Sequence, residues 1–305
     1  MTTASRSASL TTVATLVRLP NLFTAPPDIL LGAALVAVAG YTVPHQPLVG
    51  LCVSSMLLYA AGTTFNDYFD AGLDAEERPD RPIPSGAISR ARAGILGIAL
   101  LTGGIAAAIA AVGIAGGTVA AAIAATVLLY DGFFNGTALG FIVMGTTRGL
   151  NVVLGTTVTG LVPTIYPRWL LAIPLLILLY IAGVTHMAEG ETGKASHRSV
   201  LVGVTGVALA SVGGVAFLAF QSPEAILWAI GLGFIAAFVV WTGRPLWRAY
   251  SNPTPELIGP AIGACVLGLP LLNAAYASSA GWPWALAIIG FLVPAIGLSR
   301  IFDVT

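Results

Sequence analysis

Long runs without a single charged side chain constrain this sequence more than any motif in it. Residues 29–66, 93–130, 149–167, 169–188, 199–223, 225–243 and 257–299 contain no Asp, Glu, Lys or Arg. A helix needs about 20 apolar residues to cross a bilayer core, so the longest runs hold two spans each. Turn residues mark the breaks: His45 with Pro44 and Pro47, Gly116-Gly117, and Gly281 with Pro283. The reading is about ten helices, near 24–43, 47–68, 91–112, 115–132, 137–160, 168–188, 199–220, 223–242, 256–278 and 283–302. The first starts raggedly at Pro26-Pro27, and Pro270 and Pro294 interrupt the last two.

Composition agrees. Of 305 residues, 57% are hydrophobic and 9% charged, against about 25% charged in a soluble domain. That excludes a disordered chain, a secreted disulfide scaffold and a soluble globular enzyme. It leaves an all-α, polytopic membrane bundle of nine to ten helices, read as one domain over 1–305. Thirteen basic and 13 acidic residues cancel, so no basic surface calls for a nucleic-acid partner. Cys52 and Cys265 lie in apolar stretches and read as small buried hydrophobes. No loop is long enough to bury a core of its own. The first 17 residues, Ser/Thr-rich with only Arg6, do not look like a cleaved signal peptide.

Lys and Arg set the orientation. With the N-terminus inside, Arg6, Arg18, Arg78, Arg81, Arg90, Arg92, Lys194, Arg198, Arg244, Arg248 and Arg300 fall inside, 11 of 13. Arg168 falls outside and Arg148 within a span. The expectation is a cell-membrane protein with both termini cytoplasmic.

Ten of the 26 charges crowd residues 66–92, directly after the second span. Asn66, Asp70 and Asp74 are spaced i, i+4, i+8 and line one helix face. Like charges at that spacing repel, and the membrane edge makes the repulsion worse. Oxygen ligands without Cys or His suit a hard cation such as Mg²⁺, which bridges carboxylates to phosphates. A solvated acidic loop ending a helix is the blander reading. The tail, Arg78-Pro79-Asp80-Arg81-Pro82-Ile83-Pro84-Ser85-Gly86, is too proline-rich to stay helical. It reads as a stiff loop whose arginines fold back over an anion, or as a plain positive-inside anchor.

A second polar cluster, His186 to Arg198, ends the sixth span. It lies four helices after the first and on the same side, which suggests a pseudo-repeat of four-helix units. Few other polar groups lie within spans. Asp131 follows Tyr130, Arg148 and Asn151 sit one turn apart, and Asp28 follows Pro26-Pro27. An intramembrane Arg costs about 2.5 kcal/mol or more, so it needs a partner or a function. An ion pair with Asp131 is one reading. Asp28 is a weaker candidate that caps a helix.

Asn66-x-x-x-Asp70-x-x-x-Asp74 followed by Arg78-Pro79-x-Arg81-Pro82-Ile83-Pro84-x-Gly86 closely resembles the first aspartate motif of the UbiA superfamily of intramembrane prenyltransferases. Arg18-Leu19-Pro20-Asn21 before the first span resembles the start of that family's fold as well. The resemblance implies helices around a central cavity, with a Mg²⁺-bound isoprenoid diphosphate at the cytoplasmic end. It implies Mg-dependent transfer of the prenyl group to an aromatic or other lipophilic acceptor within the membrane. The residues it implies are Asp70, Asp74 and Arg148 for catalysis. Asn66, Asp70, Asp74, Glu189 and Glu191 would hold metal. Arg78, Arg81, Lys194, Arg148, Asn151 and Tyr130 would hold the diphosphate. The second motif departs from the family pattern: Glu189 stands at its first aspartate and Gly193 at its second, with Glu191 as the compensating ligand. Asn135 stands near the place of a basic residue, for which Arg148 is the substitute. Thr147-Arg148-Gly149-Leu150-Asn151 and His186-Met187-Ala188-Glu189 look more like the EboC-like branch. The alternative is a UbiA-like protein that binds or moves a lipidic metabolite without catalysis.

Overall fold

The computed structural model describes residues 9–188, 196–222 and 224–302. Its elements, in order, are α1 Leu10–Leu16, α2 Leu19–Leu22, α3 Pro26–Val38, α4 His45–Phe69, α5 Ala71–Glu77, α6 Arg90–Val112 and α7 Ile114–Leu129. A π-helical turn, Tyr130–Phe134, closes α7. Then come α8 Ala138–Thr156, α9 Ala172–Ala188, α10 His197–Gln221, α11 Ala225–Ser251, α12 Pro255–Ala277, α13 Trp282–Gly290 and α14 Leu292–Leu298. Among the described residues there is no strand, and nine segments are long and apolar enough to cross a membrane. This is the architecture expected from the charge-free runs. The tenth expected helix is real but short and broken at Phe291. Pro294 falls in the first turn of α14, where its missing N–H costs nothing, so the chain restarts a helix there instead of continuing one.

The first expected helix also splits. Pro26 and Pro27 open α3, whose 13 residues span about 20 Å. The preceding turn α2 lengthens it, so that Leu19–Val38 forms a 20-residue apolar span. Every residue of α3 from Pro26 to Val36 is buried. It is the central post of the bundle, packed against α4, α8, α12 and α13. The outer helices instead turn Ile98, Val212 and Val240 outward, as lipid-facing surfaces require.

Small residues set the closest crossing. A Cβ on Gly32 of α3 would meet the Val152 carbonyl oxygen at 2.1 Å, and one on Gly155 of α8 would meet the Ile29 carbonyl oxygen at 2.3 Å. Without a hydrophobic drive between helices in lipid, such backbone contact supplies the packing energy. It also brings the start of α3 against the middle of α8, which matters for Arg148 below. Gly155→Ala is therefore expected to force the helices apart and lower stability by about 1–3 kcal/mol, as overpacking does. Thermal unfolding in detergent measures it; an unchanged midpoint would show that the crossing is looser than described.

Candidate functional site

The acidic stack forms as its spacing requires. Although α4 ends at Phe69, i, i+4 backbone bonds run on through the junction. Asp70 N–H donates to Asn66 O at 2.9 Å, Asp74 N–H to Asp70 O at 2.8 Å and Arg78 N–H to Asp74 O at 2.8 Å. Beyond Arg78 the proline-rich loop folds back, with Gly86 at φ 76° in the left-handed region. Arg81 Nη1 reaches Asp74 Oδ2 at 2.9 Å and Asp67 Oδ1 at 3.2 Å. From the other side Arg18 Nη2 donates to Asn66 Oδ1 at 3.1 Å and lies 3.5 Å from Asp67 Oδ1. Arg18 has φ 48°, the one positive φ outside glycine among the described residues. A side chain tolerates that conformation at a cost of about 1 kcal/mol or more only when its surroundings fix it, and the Asn66 and Asp67 contacts do so. Arg78 is exposed at the end of α5.

The π turn delivers the opposite wall. π-helical turns recur at functional sites because they redirect side chains inside a helix. Here Asp131 is buried and accepts from Asn66 Nδ2 at 3.4 Å. Asn66 Nδ2 also donates to Asp70 Oδ2 at 3.2 Å, and Asn135 Nδ2 donates to the two Asp70 oxygens at 3.2 and 3.0 Å. Burial pushes the Asp70 carboxyl above the usual carboxylate range, and nearby Asp74 adds to this against the Asn135 hydrogen bond and Arg81. Among the described residues no three His, Cys, Asp or Glu side chains already form a metal cage. Asp67 and Asp74 are instead paired with the chain's own arginines, and Asp70 and Asp131 are hydrogen-bonded by its amides. Glu189, Glu191 and Lys194 lie outside the described residues; Ala188, just before them, borders the site.

Two chambers meet at the π turn. The outer one, about 670 Å³, is lined by Asp70, Glu77, Asn135, Phe69 and Phe141. The inner one, about 310 Å³, has Arg18, Asn66 and Asp131 at its mouth and walls such as Leu58, Ile123, Val184 and Leu269. Tyr130, Asp131, Thr185 and Ala188 border both chambers.

Arg148 and Asn151 line the inner chamber too, and neither is bonded to the acidic stack. The partner of Arg148 is Asp28, at 2.7 Å from Nε, and not Asp131. The reason is the close crossing of α3 and α8, whereas Asp131 is turned toward Asn66. Arg148 Nη2 also donates to Thr24 O. Asp28 is therefore no mere cap. It accepts further from Asn151 Nδ2 at 2.9 Å and Asn273 Nδ2 at 2.7 Å, and Ser55 Oγ donates to Asn151 Oδ1 at 2.8 Å. Cys265 is buried and Cys52 half-buried, both as free thiols. Asp67, Asn273 and Ser55 were not legible as site residues, and Asp131 was read only as an ion-pair partner for Arg148. Asp67 lay inside the motif as a signal; Asn273 and Ser55 gave none.

The Asp28 cluster makes a stability prediction. Arg148→Met strands a buried carboxylate and is expected to cost about 3–5 kcal/mol, whereas Asp28→Leu with Arg148→Met recovers much of the loss. Unfolding of the single and double variants measures the coupling; purely additive losses would refute the pairing.

Residues 29–248 match the UbiA prenyltransferase family, and the chain belongs to that family. A digeranylgeranylglyceryl phosphate synthase from Thermococcus sibiricus is 30% identical over 249 residues, 74% of this chain and 85% of the relative. Another from Methanoregula boonei is 48% identical over 62 residues, so that match spans only 22% of the relative and 19% of this chain. Among solved structures, an apo UbiA homolog from Aeropyrum pernix K1 superposes with a TM-score of 0.66 at 16% identity, covering 83% of this chain and 96% of that one. A UbiA homolog from Archaeoglobus fulgidus bound to GPP and Mg²⁺ gives 0.56 at 17% identity, covering 92% and 99%. These likenesses support the fold. The finer likeness to the EboC-like branch finds no support among these relatives.

Proposed function

We propose that the chain, acting as one unit over 1–305, transfers a prenyl group from an isoprenoid diphosphate to a lipophilic acceptor, aromatic or not, inside the membrane. The observation that carries this reading is the Asn66, Asp70, Asp74 stack, held by Arg18 and Arg81, whose Asn66 end with Arg18 lines an apolar chamber. The family relation supports it. So does the Archaeoglobus fulgidus homolog that binds GPP and Mg²⁺. With the basic loops inside, this mouth faces the cytoplasm.

The donor chemistry fits Mg²⁺. Asn66, Asp70, Asp74 and Asp131 offer hard oxygens, and none of them is hydrogen-bonded to His or Cys. Glu189 and Glu191 follow Ala188 at the same mouth in sequence and are proposed as further ligands. Bound there, the metal would neutralise the diphosphate and stabilise it as a leaving group. Arg18 and Arg81, now paired with Asp67 and Asp74, are then free to turn onto the phosphate oxygens, joined by Arg78, Lys194 and Tyr130. The C1–O bond of the diphosphate breaks with its electron pair leaving on pyrophosphate. The acceptor bonds to C1 and loses a proton to the pyrophosphate. The apolar walls exclude water from the allylic cation in between.

Purified protein given GPP or DMAPP, Mg²⁺ and candidate acceptors is expected to release pyrophosphate. Asp70→Ala and Asp74→Ala should each cut release by about 10²-fold or more; release that survives both sinks the residue assignment. Arg81→Gln should weaken pyrophosphate binding yet strengthen Mg²⁺ binding without diphosphate, because it removes the internal cation from Asp74; calorimetry reads both. Gly193, where the family has an aspartate, favours a second reading, a protein that binds or moves a lipidic metabolite without turnover. Under that reading G193D with E189D gains activity, and turnover by the native chain refutes it.

A further inference from the structure

The inner chamber carries a second polar site at its far end. Along α4, Ser55 lies 11 residues, about 16 Å, from Asn66 at the mouth. At that depth Ser55, Tyr59, Arg148 and Asn151 all line the chamber. Behind them, off the chamber, Asp28 and Asn273 are fully buried. Asp28 holds Arg148 Nε and Asn151 Nδ2 in place, and the Arg148 guanidinium lies 5.9 Å from the centre of the Tyr59 ring.

Such a cluster is costly in the low-dielectric interior of a membrane bundle, and apolar residues of similar volume would hold α3, α8 and α12 together as well. Its members facing the chamber also keep unused valences. Among the described residues Arg148 Nε is ion-paired with Asp28 but makes no hydrogen bond, Nη2 is spent on Thr24, and Nη1 has no hydrogen bond. Ser55 spends its proton on Asn151 and keeps its lone pairs. A donor and an acceptor are thus presented together. The charges of Asp28 and Arg148 cancel, so an anionic head group placed there would stay uncompensated. A hydroxyl, which both accepts and donates, matches the cluster.

We propose that Arg148, Asn151 and Ser55 form a binding site for the uncharged hydroxyl head of a lipophilic acceptor, with Asp28 as the positioning residue behind them. This rests on the prenyl-transfer reading and extends it. The diphosphate is held at the mouth by the acidic stack, and the acceptor is anchored from the opposite end by a neutral alcohol or phenol. Arg148 and Asn151 accordingly belong to the acceptor and not to the diphosphate.

The test is photo-crosslinking of the full chain in nanodiscs with diazirine-tagged dodecanol, dodecanoate and dodecyl phosphate, the labelled peptides being read by mass spectrometry. The alcohol is expected to label the segments around Ser55–Tyr59 and Arg148–Asn151. Asn151→Leu should cut that labelling at least about tenfold, the scale of a lost hydrogen bond that leaves a buried partner unpaired. Ser55→Ala, which leaves every donor to Asp28 in place, should cut it about threefold with a smaller loss of thermal stability than Asn151→Leu. Mg²⁺-dependent pyrophosphate binding, read by calorimetry, should be unchanged in the two variants. Equal or stronger labelling by the carboxylate or phosphate, labelling that survives both substitutions, or no labelling of the chamber overturns the proposal. Loss of pyrophosphate binding by the native chain, with alcohol labelling intact, would instead overturn the prenyl-transfer reading and leave this site standing.

Discussion

A carboxylate with no exposed surface, Asp28, sits at the start of a helix that is buried along nearly its whole length. Charge in such a place survives only when it is matched, since an isolated ion in a low dielectric costs far more than any single packing contact returns. The match comes from α8 and α12: Arg148, Asn151 and Asn273 all point at Asp28. That requirement fixes which helices must surround α3 and how closely α8 must approach it. The glycine crossing at Gly32 and Gly155 makes the approach possible. Arg148 and Asn151 then define the deep end of the inner chamber.

The same demand for charge matching operates at the mouth by different means. Asn66, Asp70 and Asp74 are stacked by helical register, so their repulsion is built into the sequence. In the fold Arg81 returns along the proline-rich loop to Asp74 and Asp67, and Arg18 arrives from the N-terminal segment to Asn66 and Asp67. These are groups that a divalent cation and a diphosphate would also satisfy. The mouth is therefore an exchangeable set of ion pairs. In the deep cluster the Asp28 carboxylate is fully buried off the chamber and has no exposed route to exchange. One charged layer is suited to binding and release, the other to holding a fixed polar surface in an apolar room.

The π turn after α7 links the two layers. Because Tyr130 and Asp131 leave the regular helical register, they stand between the outer and inner chambers and belong to the walls of both. Asn135, just beyond, takes up the Asp70 carboxylate where a basic residue was expected. An amide there leaves the acidic stack more negative than a lysine or arginine would.

The charge-free runs by themselves determined a polytopic helical bundle, because length and apolarity decide what crosses a bilayer. The i, i+4, i+8 spacing determined the acidic stack, because helical periodicity alone places those side chains together. The proline-rich tail determined a loop, because proline forbids the helix from continuing. Long-range pairing lay beyond that local reasoning. The sequence showed Arg148 as an unpaired intramembrane charge but not which of two aspartates would meet it. Asn273, a lone amide 245 residues from Asp28, carried no signal of its own. Only the tertiary structure decided that α3 would be the buried post, that Asp131 would turn to Asn66, and that Arg148 would turn to Asp28. Those outcomes depend on how closely helices cross, and that is set by packing between segments far apart in the chain.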